Sequence, residues 1–269
     1  IEFSEYGFIK SKLNFLHGLS NFELTVSGSN DRNKLNISID KIHTDDLKKF
    51  WPTHFKVSAR DWVDKNLNAN LQDVKLNFEF KAKTFQTQNF TGSFNFNNGM
   101  ISYLEGMPRI LELSGKSEIN KDKLTFEIES GYSRKLILKN SKVEIVDLDL
   151  PIEKAILLLN VESNTNDLKS YLDFSPIRKN NFEKLGLIDG FISSKLEMEF
   201  PLLLDLKMEE IKYQISSKIS NSSIFNIFQN LDLKKVNLDL SLNPKILTYI
   251  GNANLQDTKI TINGSEDYN

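Results

Sequence analysis

Residues 22–39 read FELTVSGSNDRNKLNISI, and this stretch decides the fold. Phe22, Leu24 and Val26 alternate with Glu23, Thr25 and Ser27. A run of turn-forming residues, 28–33, follows, and then Leu35, Ile37 and Ile39 alternate with Asn36, Ser38 and Asp40. Successive side chains of a strand point to opposite faces, so this pattern predicts an antiparallel hairpin with one dry face and one wet face. The same alternation recurs along the chain, in Val74, Leu76, Phe78 and Phe80; in Phe94 and Phe96; in Leu124, Phe126 and Ile128; in Leu196, Met198 and Phe200; in Val236, Leu238, Leu240 and Leu242; and in Ile260 and Ile262. The chain is therefore expected to be mostly half-buried strand. At roughly 12 residues for a strand and its turn it would form about 20 strands, a sheet on the order of 100 Å along its stacking direction.

Short helices interrupt this pattern. Thr44 is placed to cap a helix over 45–50, with Asp45 and Asp46 in the first turn where the helix dipole favours them, and a second helix is expected over 57–67. A third is expected over 166–174, ending before Pro176. Leu71-Gln72-Asp73 is echoed by Leu255-Gln256-Asp257. The echo reads either as reuse of one strand unit, in an elongated sheet or solenoid, or as shared turn chemistry.

Composition narrows the function. Of 269 residues 39% are hydrophobic and 26% charged, which is ample for a folded assembly, and the formal net charge of -2 argues against a general nucleic-acid binder. The absence of cysteine excludes disulfides, thiolate metal sites and a cysteine nucleophile. The 19 phenylalanines against 7 tyrosines and 2 tryptophans favour the one ring without a polar handle, which calls for burial or an apolar ligand. The longest apolar runs, 155–159 and 200–204, are far shorter than a membrane span. The chain begins at Ile1 without a signal sequence, so it is expected to be a fragment of a longer protein whose anchor lies upstream.

Catalytic constellations are missing. Gly115-Lys116-Ser117 resembles the end of a phosphate-binding loop, but Ile110 stands where the first glycine is required, so a turn is expected. His17, His43 and His54 do not have the spacing of a helical zinc site and read as surface or satisfied histidines. Asp147 and Asp149 share a parity with Val143 and Ile145, which predicts a bulge or strand end near Val146 rather than a cation site. The sequons at Asn36, Asn89, Asn221 and Asn263 follow from an Asn-rich composition. No enzyme, cofactor or metal is expected.

Against the strands stand Trp51-Pro52, then Arg60-Asp61-Trp62-Val63 and Asn66-Leu67. Downstream come Ile101-Ser102-Tyr103, Gly106-Met107-Pro108-Arg109-Ile110 and Leu113-Ser114-Gly115. Asp149-Leu150-Pro151, Leu172-Asp173-Phe174-Ser175-Pro176 and a stretch from Gly190 to Phe200-Pro201-Leu202 follow. This order of motifs, over roughly residues 50–205, resembles the AsmA-like proteins of the Gram-negative envelope, specifically the central region of the YhdP branch. Where that family has a glycine after the Trp helix, this chain has Asn68-Ala69-Asn70, which predicts an asparagine in the left-handed conformation at the helix end.

The resemblance implies one elongated, strongly curved antiparallel β-sheet over residues 1–269, forming an open hydrophobic groove, with a helical insert at 44–67. It implies a periplasmic location, attachment to the inner membrane through a segment outside this chain, and conduction of phospholipid between inner and outer membranes. The partners would be phospholipid acyl chains and envelope proteins at the ends of the groove. On the strand parity, the lining would comprise Phe78, Phe80, Phe94, Phe96, Leu124, Phe126, Ile128, Leu196, Met198, Phe200, Leu238, Leu240 and Leu242. An acyl chain gains about 0.8 kcal/mol per methylene buried, so such a lining could hold a lipid tail without any chemistry. Trp51, Arg60 and Trp62 would anchor the helical insert, as a brace or plug at one end of the groove or as a cover for an exposed sheet edge. The alternative is a structural β-solenoid or interaction domain whose apolar face is packed and ligand-free.

Overall fold

The structure is a computed structural model that describes residues 2–3, 9–28, 32–51, 56–81, 87–174, 187–203, 205–228 and 231–267. His54, Pro52, Ser175 and Pro176, singled out above, lie outside the described residues. In chain order the elements are β1 (Glu2–Phe3), β2 (Ile9–His17), β3 (Ser20–Gly28), β4 (Asn33–His43), α1 (Thr44–Phe50), α2 (Val57–Asn66), β5 (Leu67–Phe80), β6 (Thr87–Ile101), β7 (Ile110–Asn120), β8 (Lys123–Ser133) and β9 (Leu136–Val146). There follow β10 (Lys154–Asn164), α3 (Thr165–Leu172), β11 (Leu187–Ile188), β12 (Phe191–Pro201), β13 (Lys212–Phe228), β14 (Leu231–Leu242), β15 (Ile246–Leu255) and β16 (Thr258–Asp267), with a single 3-10 turn at Met208–Glu210.

The strands form one sheet in sequence order, except that β11 pairs with β13 off the main path. The sheet is open, with β1 at one edge and β16 at the other. Pairing is antiparallel from β1 to β6 and from β10 to β16, as sequential hairpins require. This meander rules out the solenoid, which would need coils stacked in parallel. Among the described residues fewer strands form than the 20 expected, because they run long, up to 17 residues in β13. The opening hairpin forms in the expected register, Phe22 opposite Ile39, Leu24 opposite Ile37 and Val26 opposite Leu35.

The chain packs as two compact units. The first comprises Ile1–Ile101, Glu112–Glu127 and Glu144–Glu153, and the second Ser102–Leu111, Ile128–Val143 and Lys154–Asn269. The core of the first is Phe22, Ile39, Ile42, Ala69, Leu71 and Val74. That of the second is Ile192, Ile219, Leu233, Val236, Leu238, Leu240 and Ala253. In each unit the buried residues come from neighbouring strands of a sheet one layer thick, with only short helices among the described residues to cover them. A flat sheet of this kind would leave its apolar face in water, so the face must be concave, its side chains covering one another.

Concavity is built with bulges. In β5 the two polar residues Gln72 and Asp73 separate Leu71 from Val74, both buried. Asp73 has φ 51, and the β5–β6 register slips between Gln72 and Lys75, so an extra residue returns the next apolar row to the same face. Asn98 in β6, Asn221 in β13 and Lys235 in β14 are left-handed at equivalent slips. Glu112 and Asn140 are left-handed within β7 and β9. Each bulge increases local twist, which curls a sheet without breaking its dry face.

Several local expectations are corrected. The cap of α1 is His43, whose Nδ1 accepts from the Asp45 N–H at 3.2 Å, and Thr44 is instead the first residue of the helix, buried. The third helix spans Thr165–Leu172 rather than 166–174 and is capped by the Asn164 side chain. Asn68-Ala69-Asn70 contains no left-handed residue, since α2 ends on an extended Leu67 that starts β5 directly. Gly115-Lys116-Ser117 is not a turn but the middle of β7. A Cβ on Gly115 would sit 2.1 Å from the Glu127 carbonyl oxygen, so the glycine serves close strand approach. The Leu-Gln-Asp echo serves two different structures, a bulge at Asp73 and the β15–β16 hairpin turn at Gln256. β9 ends at Val146 as expected, before a turn at Asp147.

Candidate functional site

In the first unit, register aligns the dry parity into rows across strands. Leu24, Ile37, Leu76 and Gly92 form one row, and Val26, Leu35, Phe78 and Phe90 the next. Phe78 stacks on Phe90 with ring centroids 4.7 Å apart. Gly92 leaves room for its neighbours, since a Cβ there would lie 2.8 Å from both Leu76 and Ile119 side-chain carbons. Phe126 presents its ring in tilted, edge-on contact to Phe94 and Phe96, at 6.3 and 6.2 Å. The opposite face is paired charge, with Lys12–Glu23 and Lys34–Glu79 each at 2.8 Å and Lys116–Glu127 at 3.0 Å.

The second unit repeats the arrangement. Leu159, Leu196, Ile215, Leu242 and Leu247 lie in one row, and Ser163, Ile192, Ile219, Leu238, Gly251 and Ile262 in another. Between them, Ser194 and Ser217 share a hydroxyl hydrogen bond of 2.7 Å, which satisfies both on an otherwise apolar face. Tyr249 lies over Gly264, whose missing Cβ would fall 2.4 Å from the ring. Burial raises the pKa of Tyr213, which sits beside Met198 in the register. The outer face carries Lys139–Glu162 at 2.8 Å and Lys212–Glu199 at 3.1 Å.

The thirteen residues expected to line the site lie on this dry parity. Phe78, Phe80, Phe94, Phe96, Leu124 and Phe126 fall in the first unit and are half-buried. Ile128, Leu196, Met198, Phe200, Leu238, Leu240 and Leu242 fall in the second. There Leu196, Met198 and Phe200 are half-buried, while Ile128 and the three leucines of β14 are buried. Ile42, Ala69 and Leu71 also belong to the dry face, although on regular strands their parity is opposite to that of Ile39 and Val74. The signal was the polar pair Asp40-Lys41 opposite Gln72-Asp73, which shifts the parity on both strands.

The helical insert sits where β4 and β5 meet. β5 is paired with β4 on one side and β6 on the other, while β4 is paired with β5 up to His43 and with β3 only up to Ile39. Leu47 packs on the first core, and Phe50 lies 4.7 Å from Phe22 and 6.5 Å from Phe15. His17 meets the Phe50 ring edge-on at 5.0 Å. Lys48 of α1 is ion-paired with Asp64 of α2, which lowers the pKa of the carboxyl and raises that of the ammonium. Trp51 is half-buried and Trp62 exposed. The Arg60 guanidinium has an enclosed Nε, with Asp61 at 3.9 Å from its terminal nitrogen. Lys56, left-handed at the start of α2, bonds Glu153 at 2.6 Å.

Among the described residues there is no group of three or more His, Asp or Glu that could hold a metal ion. Among them, too, no helix is long and apolar enough to cross a membrane. What the arrangement offers is a surface, dry on one side and charged on the other. These features define a one-sided, open β-sheet protein of the kind that handles apolar ligands. The chain belongs to the YhdP protein family, whose model matches residues 9–268. Members of this AsmA-like family are structural lipid-transport proteins and not enzymes, and membership places the chain in the periplasm of the cell envelope. No curated protein and no solved structure matches the chain at a significant level.

Proposed function

We propose that this chain is one stretch of a bridge that conducts phospholipids between the inner and outer membranes, with the acyl chains on the dry face and the headgroups in solvent. The attachment to the inner membrane would lie in a segment outside this chain, and envelope proteins would meet the ends of the bridge. The observation that carries the reading is the continuity of apolar rows across successive strands in each unit, with phenylalanines and methionine left half-buried rather than sealed. A packed scaffold would seal these rings. An acyl chain needs only contact and exclusion of water, which such rows supply at about 0.8 kcal/mol per methylene. Photocrosslinking residues placed at Phe94, Phe126, Leu196 and Met198 in cells should capture phospholipid. The same probe at Asn95 and Glu197, on the wet parity, should not. Recovery of no lipid adduct from any dry-face position refutes the proposal.

A further inference from the structure

We infer that α1 and α3 are two copies of one device, a hinged cover over the apolar face of its own unit. Thr44, Asp46, Leu47, Lys48 and Phe50 correspond to Thr165, Asp167, Leu168, Lys169 and Tyr171, a shared T-x-D-L-K-x-aromatic pattern. The pattern alone would be a short coincidence, but the structure gives each position the same job. Each helix directly follows a strand, β4 or β10, and its N-cap side chain, His43 or Asn164, accepts from the backbone N–H two residues on.

The threonine is buried in both and lies one step beyond the last strand pair, His43 opposite Asn70 or Asn164 opposite Phe191. It therefore faces a small residue at the start of the returning segment, Ala69 in β5 or Gly190 just before β12. Its hydroxyl ties the helix start to that strand, accepting from the Ala69 N–H at 3.1 Å in one copy and donating to the Asp189 carbonyl in the other. The leucine packs on the core of its unit. The aspartate faces a basic residue at a preceding two-residue hairpin: Asp167 bonds Lys135 at 2.9 Å, and Asp46, whose closest partner is Lys49 of its own helix at 2.6 Å, lies 3.9 Å from the His17 imidazole. The aromatic residue contacts another ring, Phe22 for Phe50 and Tyr103, through paired hydroxyls, for Tyr171.

Thus each cover is fixed at its N-terminus by the hydrogen bonds of its threonine and cap, and held elsewhere by exposed charges, one leucine and one aromatic residue. That is the construction of a flap that swings on its first turn. The identity of what lifts the flap rests on the conduction reading, namely an acyl chain competing for the leucine's place, whereas the equivalence of the two helices does not.

The absence of native cysteine allows single thiols at Leu47→Cys and Leu168→Cys in the intact chain. Their rates of reaction with a soluble maleimide report opening. Asp46→Asn on the first background and Asp167→Asn on the second should each raise the rate about two- to fivefold, the loss expected of an exposed ion pair and a first-turn carboxylate. Lys135→Gln, which leaves the helix sequence intact, should raise the rate at position 168 and not at 47. Unchanged rates in all three variants, or a response to the aspartate substitution in only one of the two helices, overturn the inference.

Vesicles of phosphatidylethanolamine and phosphatidylglycerol should raise both rates, while photocrosslinking at Phe126 and Met198 in the same samples reports loading separately. Loading without a rate change overturns the flap and leaves conduction standing. Absence of loading refutes conduction, and the aspartate variants still decide whether the helices open.

Discussion

Thr44→Val isolates one atom of the cover's attachment. Thr44 and Ala69 are 2% and 3% exposed, so the Ala69 N–H that loses the Thr44 hydroxyl at 3.1 Å has no water to replace it. Valine keeps the branched shape, so little cavity forms, and its helix propensity is close to that of threonine. The His43 cap at the next bond is untouched. The Leu67 carbonyl, to which the hydroxyl donates only at 3.5 Å, loses little, so the cost is mainly that of one buried, unpaired donor, about 1–3 kcal/mol. Spread over local opening rather than global unfolding, this corresponds to a rise in exchange of roughly five- to 150-fold at the start of β5. Hydrogen exchange followed on a peptide covering residues 67–74 reads this directly, and Thr44→Ser, which retains the acceptor, serves as the control. Exchange that rises less than about twofold in the valine variant, with urea unfolding also unchanged, would refute the claim that this hydroxyl holds the helix to the sheet.

Gly115→Ala should destabilise the first unit by more than about 3 kcal/mol in urea unfolding, because a Cβ 2.1 Å from a backbone oxygen forces two paired strands apart. Leu238→Ala removes a side chain that is 4% exposed in the second core and should cost about 2–5 kcal/mol, read as a lower midpoint of thermal melting. Acid should weaken the first unit through Asp40, whose carboxylate accepts from the Asn21 backbone and side-chain N–H groups at 2.7 and 2.8 Å and from the Lys41 N–H at 2.7 Å. These bonds, led by that from the Asn21 backbone, lower its pKa below 3.8. A lowered folded value means the stabilisation is full above the unfolded value and disappears as pH falls through the folded one. The midpoint should then be flat from neutral pH down to about 5 and drop below about 4, and Asp40→Asn should remove part of that drop. A variant with the same acid profile as the parent would show that Asp40 does not contribute.

The alternation around Phe22 to Ile39 carried the main architecture, since period-two patterning dictates both the strands and the antiparallel pairing. It could not carry the face beyond a bulge. Leu71-Gln72-Asp73-Val74 reads as two opposed parities if the strand is regular, and as one face only if Asp73 adopts φ 51, which an aspartate tolerates but does not announce. Half of the first core, Ile42, Ala69 and Leu71, was invisible for this reason. Gly115 misled in the other direction, because a glycine signals a turn locally and close strand approach only when Glu127 is brought beside it by β8. The equivalence of α1 and α3 was legible as letters, but seven positions without a common register amount to little. Only the pairing of Thr44 with Ala69 and of Thr165 with Gly190 turns the match into a shared structure.

A single-layer sheet with a dry face faces a conflict, since the face must be shielded from water when empty and still accept a ligand. The helices meet this conflict through the weakness of their hold. A fully buried leucine or phenylalanine gains about 1.5–3 kcal/mol, and Leu47 and Phe50 are only partly covered, so together they hold α1 to the face by roughly 2–4 kcal/mol. At about 0.8 kcal/mol per methylene, an acyl chain matches that hold after burying three to five methylenes. A phospholipid tail has several times that number, so under the proposed function it displaces the cover and then releases it once past. A cover built from a longer helix with a full apolar stripe would seal the face instead. The brevity of α1 and α3, at 7 and 8 residues, is thus what a conducting surface requires and a storage cavity would not.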